Sequence, residues 1–117
     1  MTHIMVLEDD VFRVRFFVER FGQYNLKITE NAINAIEYLQ CYKFDYLFLD
    51  NDLGKGNGKG IDVAKFLKNN PRNFNNTAIT IIHSWNIPAS AIIKSLIPNA
   101  ISAPFNTEIF YNLNLDI

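Results

Sequence analysis

Short apolar runs alternate along the chain with segments whose apolar positions recur every three or four residues. His3–Leu7 (HIMVL) is a short run ending in acid and predicts a strand. Val11–Phe21 has Val14, Phe17, Val18 and Phe21 at helical spacing among arginines, and Gly22 stops it. Leu26–Thr29 predicts a second strand, and Thr29 is placed to cap a helix over Asn31–Gln40. Tyr46–Asp50 (YLFLD) is apolar until its last residue, as in a central strand buried on both faces. A loop with four glycines, Asn51–Gly60, leads to a helix over Ile61–Lys68 and a polar linker, Asn69–Asn76. Ala78–Ile82 predicts a further buried strand, Pro88–Leu96 a short helix, Ala100–Ser102 a minimal last strand and Asn106–Leu113 a weak last helix.

Five strands alternating with five helices predict an α/β fold: a five-stranded parallel sheet with right-handed crossovers and helices on both faces. With 117 residues, the chain has room for one domain, residues 1–117. Composition changes this picture little. Hydrophobic residues at 49% and charged residues at 20% exclude a disordered chain. A formal net charge of −1 argues against dedicated nucleic-acid binding. The single cysteine, Cys41, excludes an intrachain disulfide and fits a reducing cytoplasm. No run approaches the roughly 20 apolar residues of a membrane helix, and acid at Glu8 interrupts any signal-peptide core. The expected location is cytoplasmic, without a membrane partner.

In open parallel sheets the functional crevice lies beyond the carboxyl ends of the strands, and there the polar residues collect. The first strand delivers Glu8, Asp9 and Asp10, the third Asp50, Asn51 and Asp52. The fourth delivers His83, Ser84 and then Asn86, and the fifth Ser102, Ala103 and Pro104. Crowded carboxylates take up protons or hold a cation, and hard divalent ions such as Mg²⁺ suit carboxylates, water and a substrate phosphate. The alternative is that Asp9 and Asp10 cap the first helix while Asp50 opens a polar loop.

The order of elements, LEDD at Leu7–Asp10, FDYLFLD at Phe44–Asp50 and SAPF at Ser102–Phe105 resemble the receiver domain of two-component response regulators over almost the whole chain. The resemblance implies a flavodoxin-like (βα)5 fold with a short last helix. It also implies an Mg²⁺ or Mn²⁺ site formed by Glu8, Asp9, Asp50 and the main-chain carbonyl of Asp52, and Asp50 as phosphate acceptor. The chain departs from the usual receiver where a Lys precedes the last-strand Pro, here Ala103. It departs again where strand four ends His83-Ser84, and where Asn51-Asp52-Leu53-Gly54 follows the acceptor. Leu7–Arg13, Leu49–Gly54, Ile82–Asn86 and Ala103–Phe105 together resemble the divergent group called the cyclic-phosphate-processing receiver domain. This implies hydrolysis of a cyclic phosphate, on a small molecule or a cyclic phosphate end. Two alternatives are a phospho-acceptor signalling module and a pseudo-receiver that acts through a protein partner.

Such hydrolysis requires charge neutralisation, a proton donor and phosphate-binding groups. Asp50 and His83 are the catalytic candidates, and Asp52 joins the acidic set as a further metal ligand. Arg13, Ser84 and Asn86 are the phosphate-binding candidates. Each has a structural alternative: His83 fixing a neighbouring carboxylate, Arg13 as counter-ion to Glu8 or Asp10, Asn86 capping the next helix. Lys55 and Lys59 read as charges on a mobile loop. Trp85 reads either as an exposed base-stacking surface or as a pocket wall. Ile92, Ile93, Phe110 and Tyr111 read as a partner face or as core.

Overall fold

The computed structural model describes residues 1–117. The elements are β1 (His3–Leu7), α1 (Val11–Phe21), β2 (Asn25–Thr29), α2 (Ala32–Cys41), β3 (Tyr46–Leu49), α3 (Gly60–Asn69), β4 (Ile79–Ile82), α4 (Ile87–Leu96), β5 (Ile101–Ser102) and α5 (Glu108–Tyr111), with a 3-10 turn at Phe74–Thr77. All strand pairs are parallel, and the sheet order is β2-β1-β3-β4-β5. This is the flavodoxin-like order, with its switch point between β1 and β3.

Alternation along the strands divides the core in two. Met5, Leu7, Leu47, Leu49 and Ile82 face α2, α3 and α4, where Leu39, Val63, Leu67 and Ile93 meet them. Ile4, Val6, Tyr46, Phe48 and Ile81 face α1 and α5, against Phe17, Phe21 and Phe110. The four residues read as either core or partner face are divided: Ile93 and Phe110 are buried, Ile92 and Tyr111 exposed. No helix is long and apolar enough to cross a membrane.

The expected elements form, with shifts that have local causes. Thr29 does not cap α2, because its backbone is still paired with Leu7 in the sheet. Asn31 is the cap, its Oδ1 accepting from the N–H groups of Ile33 and Asn34 at 2.8 and 3.2 Å, while the Thr29 hydroxyl accepts from Asn31 N–H. α4 begins one residue before Pro88, with Asn86 as its cap. The last helix is confined to Glu108–Tyr111 because Asn106 has φ +67°, outside helical space, and Thr107 provides the cap. The polar linker holds a structural clamp. Buried Asn75 donates to the Leu39 and Tyr42 carbonyls and accepts from Phe44 N–H at 2.7 Å, tying the end of α2 to the start of β3.

Candidate functional site

The strand register builds the site. Leu7 pairs with Leu49, Leu49 with Ile82, and Ile82 with Ser102. The residues one step beyond, Glu8, Asp50, His83 and Ala103, therefore form a row across the carboxyl edge of β1, β3, β4 and β5. The ladder continues into this row: Asp50 N–H donates to Leu7 O, His83 N–H to Leu49 O and Ala103 N–H to Ile82 O, at 3.1, 3.1 and 2.9 Å. All four residues are buried, and donor atoms of Glu8, Asp50 and His83 lie within 4.8 Å of one another.

Glu8 is the hub of this row. Its Oε1 lies 2.8 Å from His83 Nε2 and 3.7 Å from Arg13 Nη1. Its Oε2 accepts from the backbone N–H groups of Asp9 and Asp10, both at 3.0 Å. Burial pushes the Glu8 carboxyl up, but the hydrogen bond and charge of His83, the Asp10 N–H and Arg13 outweigh it and hold the group below its ordinary value. The His83 ring is fully buried, with edge-on contacts to Phe17 at 5.2 Å and a tilted contact to Phe48 at 6.3 Å. Its Nδ1 has no partner, so Nε2 is assigned as the donor to Glu8. Arg13 lies over the Phe105 ring, its Cζ 5.2 Å from the centroid. His83 and Arg13 thus both go to Glu8, His83 fixing the carboxylate and Arg13 as its counter-ion, the structural alternative for each.

Asp50 is different. Neither His83 nor Arg13 forms a salt bridge with it, and its Oδ1 accepts from Asn51 N–H at 2.9 Å. Burial first, and then the negative charge of Glu8, push its carboxyl up to about 6, against the opposing pull of His83 and Arg13. Burial and the neighbouring Glu8 also hold the half-buried Asp9 above its usual range. These groups behave as a set of carboxylates short of positive charge. That shortage, and the carboxylate oxygens that Glu8 and Asp50 bring within 4.8 Å of each other, suit a hard divalent ion at this edge.

The remaining residues frame the crevice. Asp10 caps α1, its Oδ1 accepting from Phe12 and Arg13 N–H at 3.0 Å. The Asp52 carboxylate accepts from Asn51 Nδ2 at 3.1 Å and from Asn86 Nδ2 at 3.2 Å to each oxygen. Asn86 also accepts from Ala89 N–H at 3.0 Å, so one amide caps α4 and ties that cap to the loop after β3. Buried Ser84 accepts from Asn86 N–H at 3.0 Å. Ala103 is packed in the α1 core and supplies no side-chain charge. Lys55 and Lys59 are exposed, and Lys59 pairs with Asp52 in an isolated antiparallel bridge.

Gly60, which the sequence places only in a glycine loop, locks this edge. A Cβ there would sit 2.1 Å from the Asp50 carbonyl oxygen and 2.9 Å from its carbon. The first turn of α3 therefore abuts the backbone of the central acid, and Gly60 N–H donates to Asn51 O at 3.2 Å. Gly60→Ala is expected to cost about 2 kcal/mol, read as a lower urea midpoint at unchanged slope, because only backbone movement at Asp50 relieves the clash.

The family model for the cyclic-phosphate processing receiver domain matches residues 4–99. No curated protein matches the chain. Among solved structures, the chain is similar to the phosphorylated cyanobacterial phytochrome response regulator RcpA, at 17% identity and TM-score 0.73 over 94% of this chain and 84% of that one. It is also similar to the response regulator TrrA from Thermotoga maritima in complex with Mg²⁺ and BeF, at 18% identity and TM-score 0.69 over 95% and 94%. The Mn²⁺-bound response regulator Rcp1 matches at 18% identity and TM-score 0.70 over 92% and 83%. At these identities the structures establish a shared fold.

Proposed function

The chain belongs to the cyclic-phosphate processing receiver domain family, and from that premise we propose that its acidic crevice hydrolyses a cyclic phosphate with the help of a divalent cation. The observation that carries this reading is the distribution of charge in the edge row. Asp50 is buried and short of positive charge, Ala103 stands where a receiver places its Lys, and His83 and Arg13 are both committed to Glu8. This arrangement lacks the lysine that would hold a stable aspartyl phosphate, yet it keeps an electron-rich pocket for a metal-bound phosphate.

Asp50, Asp9 and the Asp52 carbonyl would hold Mg²⁺ or Mn²⁺, the ions named for TrrA and Rcp1. Such an ion polarises a phosphoryl oxygen and lowers the pKa of bound water. Glu8, fixed by His83, Arg13 and two backbone N–H groups, orients the Asp9–Asp10 turn and sets the negative potential at Asp50. His83 therefore acts through Glu8. Ser84, Asn86 and Arg13 would donate to phosphate oxygens, Asn86 once it exchanges Asp52 for the ligand and Arg13 once it exchanges Glu8. In the overall reaction, water adds to phosphorus, one ester P–O bond breaks, the leaving alkoxide takes a proton, and a phosphomonoester results.

One observation favours the phospho-acceptor reading: Asp50 directly follows β3 and Ser84 lies two residues beyond β4 in the fold shared with phosphorylated RcpA. The deciding experiment is turnover of a panel of cyclic phosphates with Mg²⁺ or Mn²⁺, with chelator and with Asp50→Asn. Metal-dependent hydrolysis lost in the variant is the expected result. No turnover, together with an acid-labile phosphoryl adduct on Asp50 from a small phosphodonor, would replace it with the signalling reading.

A further inference from the structure

Trp85 is the one aromatic residue in the loop between β4 and α4, set between Ser84 and Asn86. It is 57% exposed, yet its ring is not free to turn. The indole N–H donates to the Phe105 carbonyl at 2.9 Å, and Phe105 in turn carries the Arg13 guanidinium. The polar edge of the indole is thus satisfied by backbone, and the part left to solvent is aromatic surface, held in place beside the crevice. Ile87, two residues on at the start of α4, is 76% exposed and adds apolar surface next to the loop.

We propose that Trp85 is a stacking platform for a nucleobase, so that the phosphate bound at the acidic row belongs to a nucleotide. The inference rests on the phosphate-directed reading of the crevice and adds the chemistry of the rest of the ligand. A fixed aromatic face accepts any base, because every base presents a π-face. It would therefore select nucleotides over base-free phosphates without choosing among bases. Prior fixation of the ring removes most of the ordering cost that a mobile side chain incurs on binding.

The chain has a single tryptophan, so intrinsic fluorescence reports on this residue alone. The probes are adenosine 2′-monophosphate and base-free glycerol 2-phosphate, each titrated with Mg²⁺ present and followed by fluorescence and calorimetry. The nucleotide is expected to quench the indole and to bind more tightly than glycerol 2-phosphate. Trp85→Ala is expected to weaken the nucleotide about tenfold, within the range of one stacked base, and to leave glycerol 2-phosphate unchanged. Trp85→Phe, which keeps a ring, is expected to recover most of the loss.

Absent nucleotide binding, equal affinity for the two probes, or equal weakening of both in Trp85→Ala would overturn the proposal, the last leaving a pocket wall only. Self-association that buries Trp85 and excludes nucleotide would overturn it in favour of a protein contact. Quenching by nucleotide without turnover of any cyclic phosphate would sink the hydrolytic reading and leave the platform standing. Turnover with no preference for base-bearing substrates would do the reverse.

Discussion

Asp50→Asn is expected to abolish divalent-ion binding and cyclic-phosphate turnover, and at the same time to stabilise the metal-free protein at pH 7.5. The carboxyl is raised from 3.8 to about 6 by burial and by Glu8, so its ionised form is disfavoured in the folded chain. For a group wholly removed from solvent such a shift corresponds to about 3 kcal/mol. The crevice is open to water, and about half of that is expected after screening, or about 5 °C in thermal midpoint for a domain of this size. Asparagine keeps an Oδ1 to accept from Asn51 N–H and removes the charge that opposes Glu8.

The sign follows from linkage. Because the folded pKa lies above the unfolded one, the favourable contribution of protonated Asp50 is complete below about 3.8 and is lost as pH rises through about 6. The advantage of Asp50→Asn should therefore disappear in acid and be full at pH 7.5. Adding Mg²⁺ should stabilise the wild type at pH 7.5 and leave the variant unchanged. Calorimetric melts at both pH values, with and without Mg²⁺, check all of these outcomes. A variant less stable than wild type at pH 7.5 would mean that Asp50 is already compensated by a partner.

The same residue shows what a sequence can reveal. An apolar strand ending in acid is legible because burial and position come from the pattern alone, and β1 and β3 carry their acids to one edge by topology. The pairing within the edge is less legible. Whether His83 serves Asp50 or Glu8 depends on which face its ring takes, and that face is set by the register Leu7–Leu49–Ile82, which no local motif encodes. Thr29 and Asn31 are both competent caps by residue type, and the sheet ladder decides between them. Asn75 lies in a polar stretch like any linker residue, but its three backbone partners are more than thirty positions away. The glycine-rich loop gives no sign of which glycine faces the Asp50 carbonyl. The short last helix is explained by the single left-handed residue Asn106, a conformation that asparagine tolerates and does not announce.

Glu8→Ala tests the hub on which the edge row depends, and it is expected to be the most destabilising change at the site, at about 4 kcal/mol. Removing the carboxylate takes the hydrogen-bond partner from a fully buried His83 and from the N–H groups of Asp9 and Asp10. It also frees Arg13. Glu8→Gln separates these losses. Its amide oxygen can still accept from the two backbone N–H groups, but its NH₂ then meets His83 Nε2, which must become an acceptor. The ring proton moves to Nδ1, an atom with no partner, so glutamine should cost about 2 kcal/mol, between wild type and alanine. In the wild type the Glu8 carboxyl lies below its ordinary 4.5, so its contribution is present above that pH and is lost as pH falls through the folded value. Asp50 contributes in the opposite direction, up to about 6. The metal-free wild type should therefore be most stable near pH 4, where Glu8 has regained most of its contribution and the loss from Asp50, which runs from about 3.8 to about 6, has only begun. Urea denaturation across pH 3 to 8 measures this directly. Asp50→Asn should extend the plateau to neutral pH, and Glu8→Gln should remove the acid limb. A profile that is flat from pH 4 to 7.5 would mean that the two carboxylates do not share one electrostatic site.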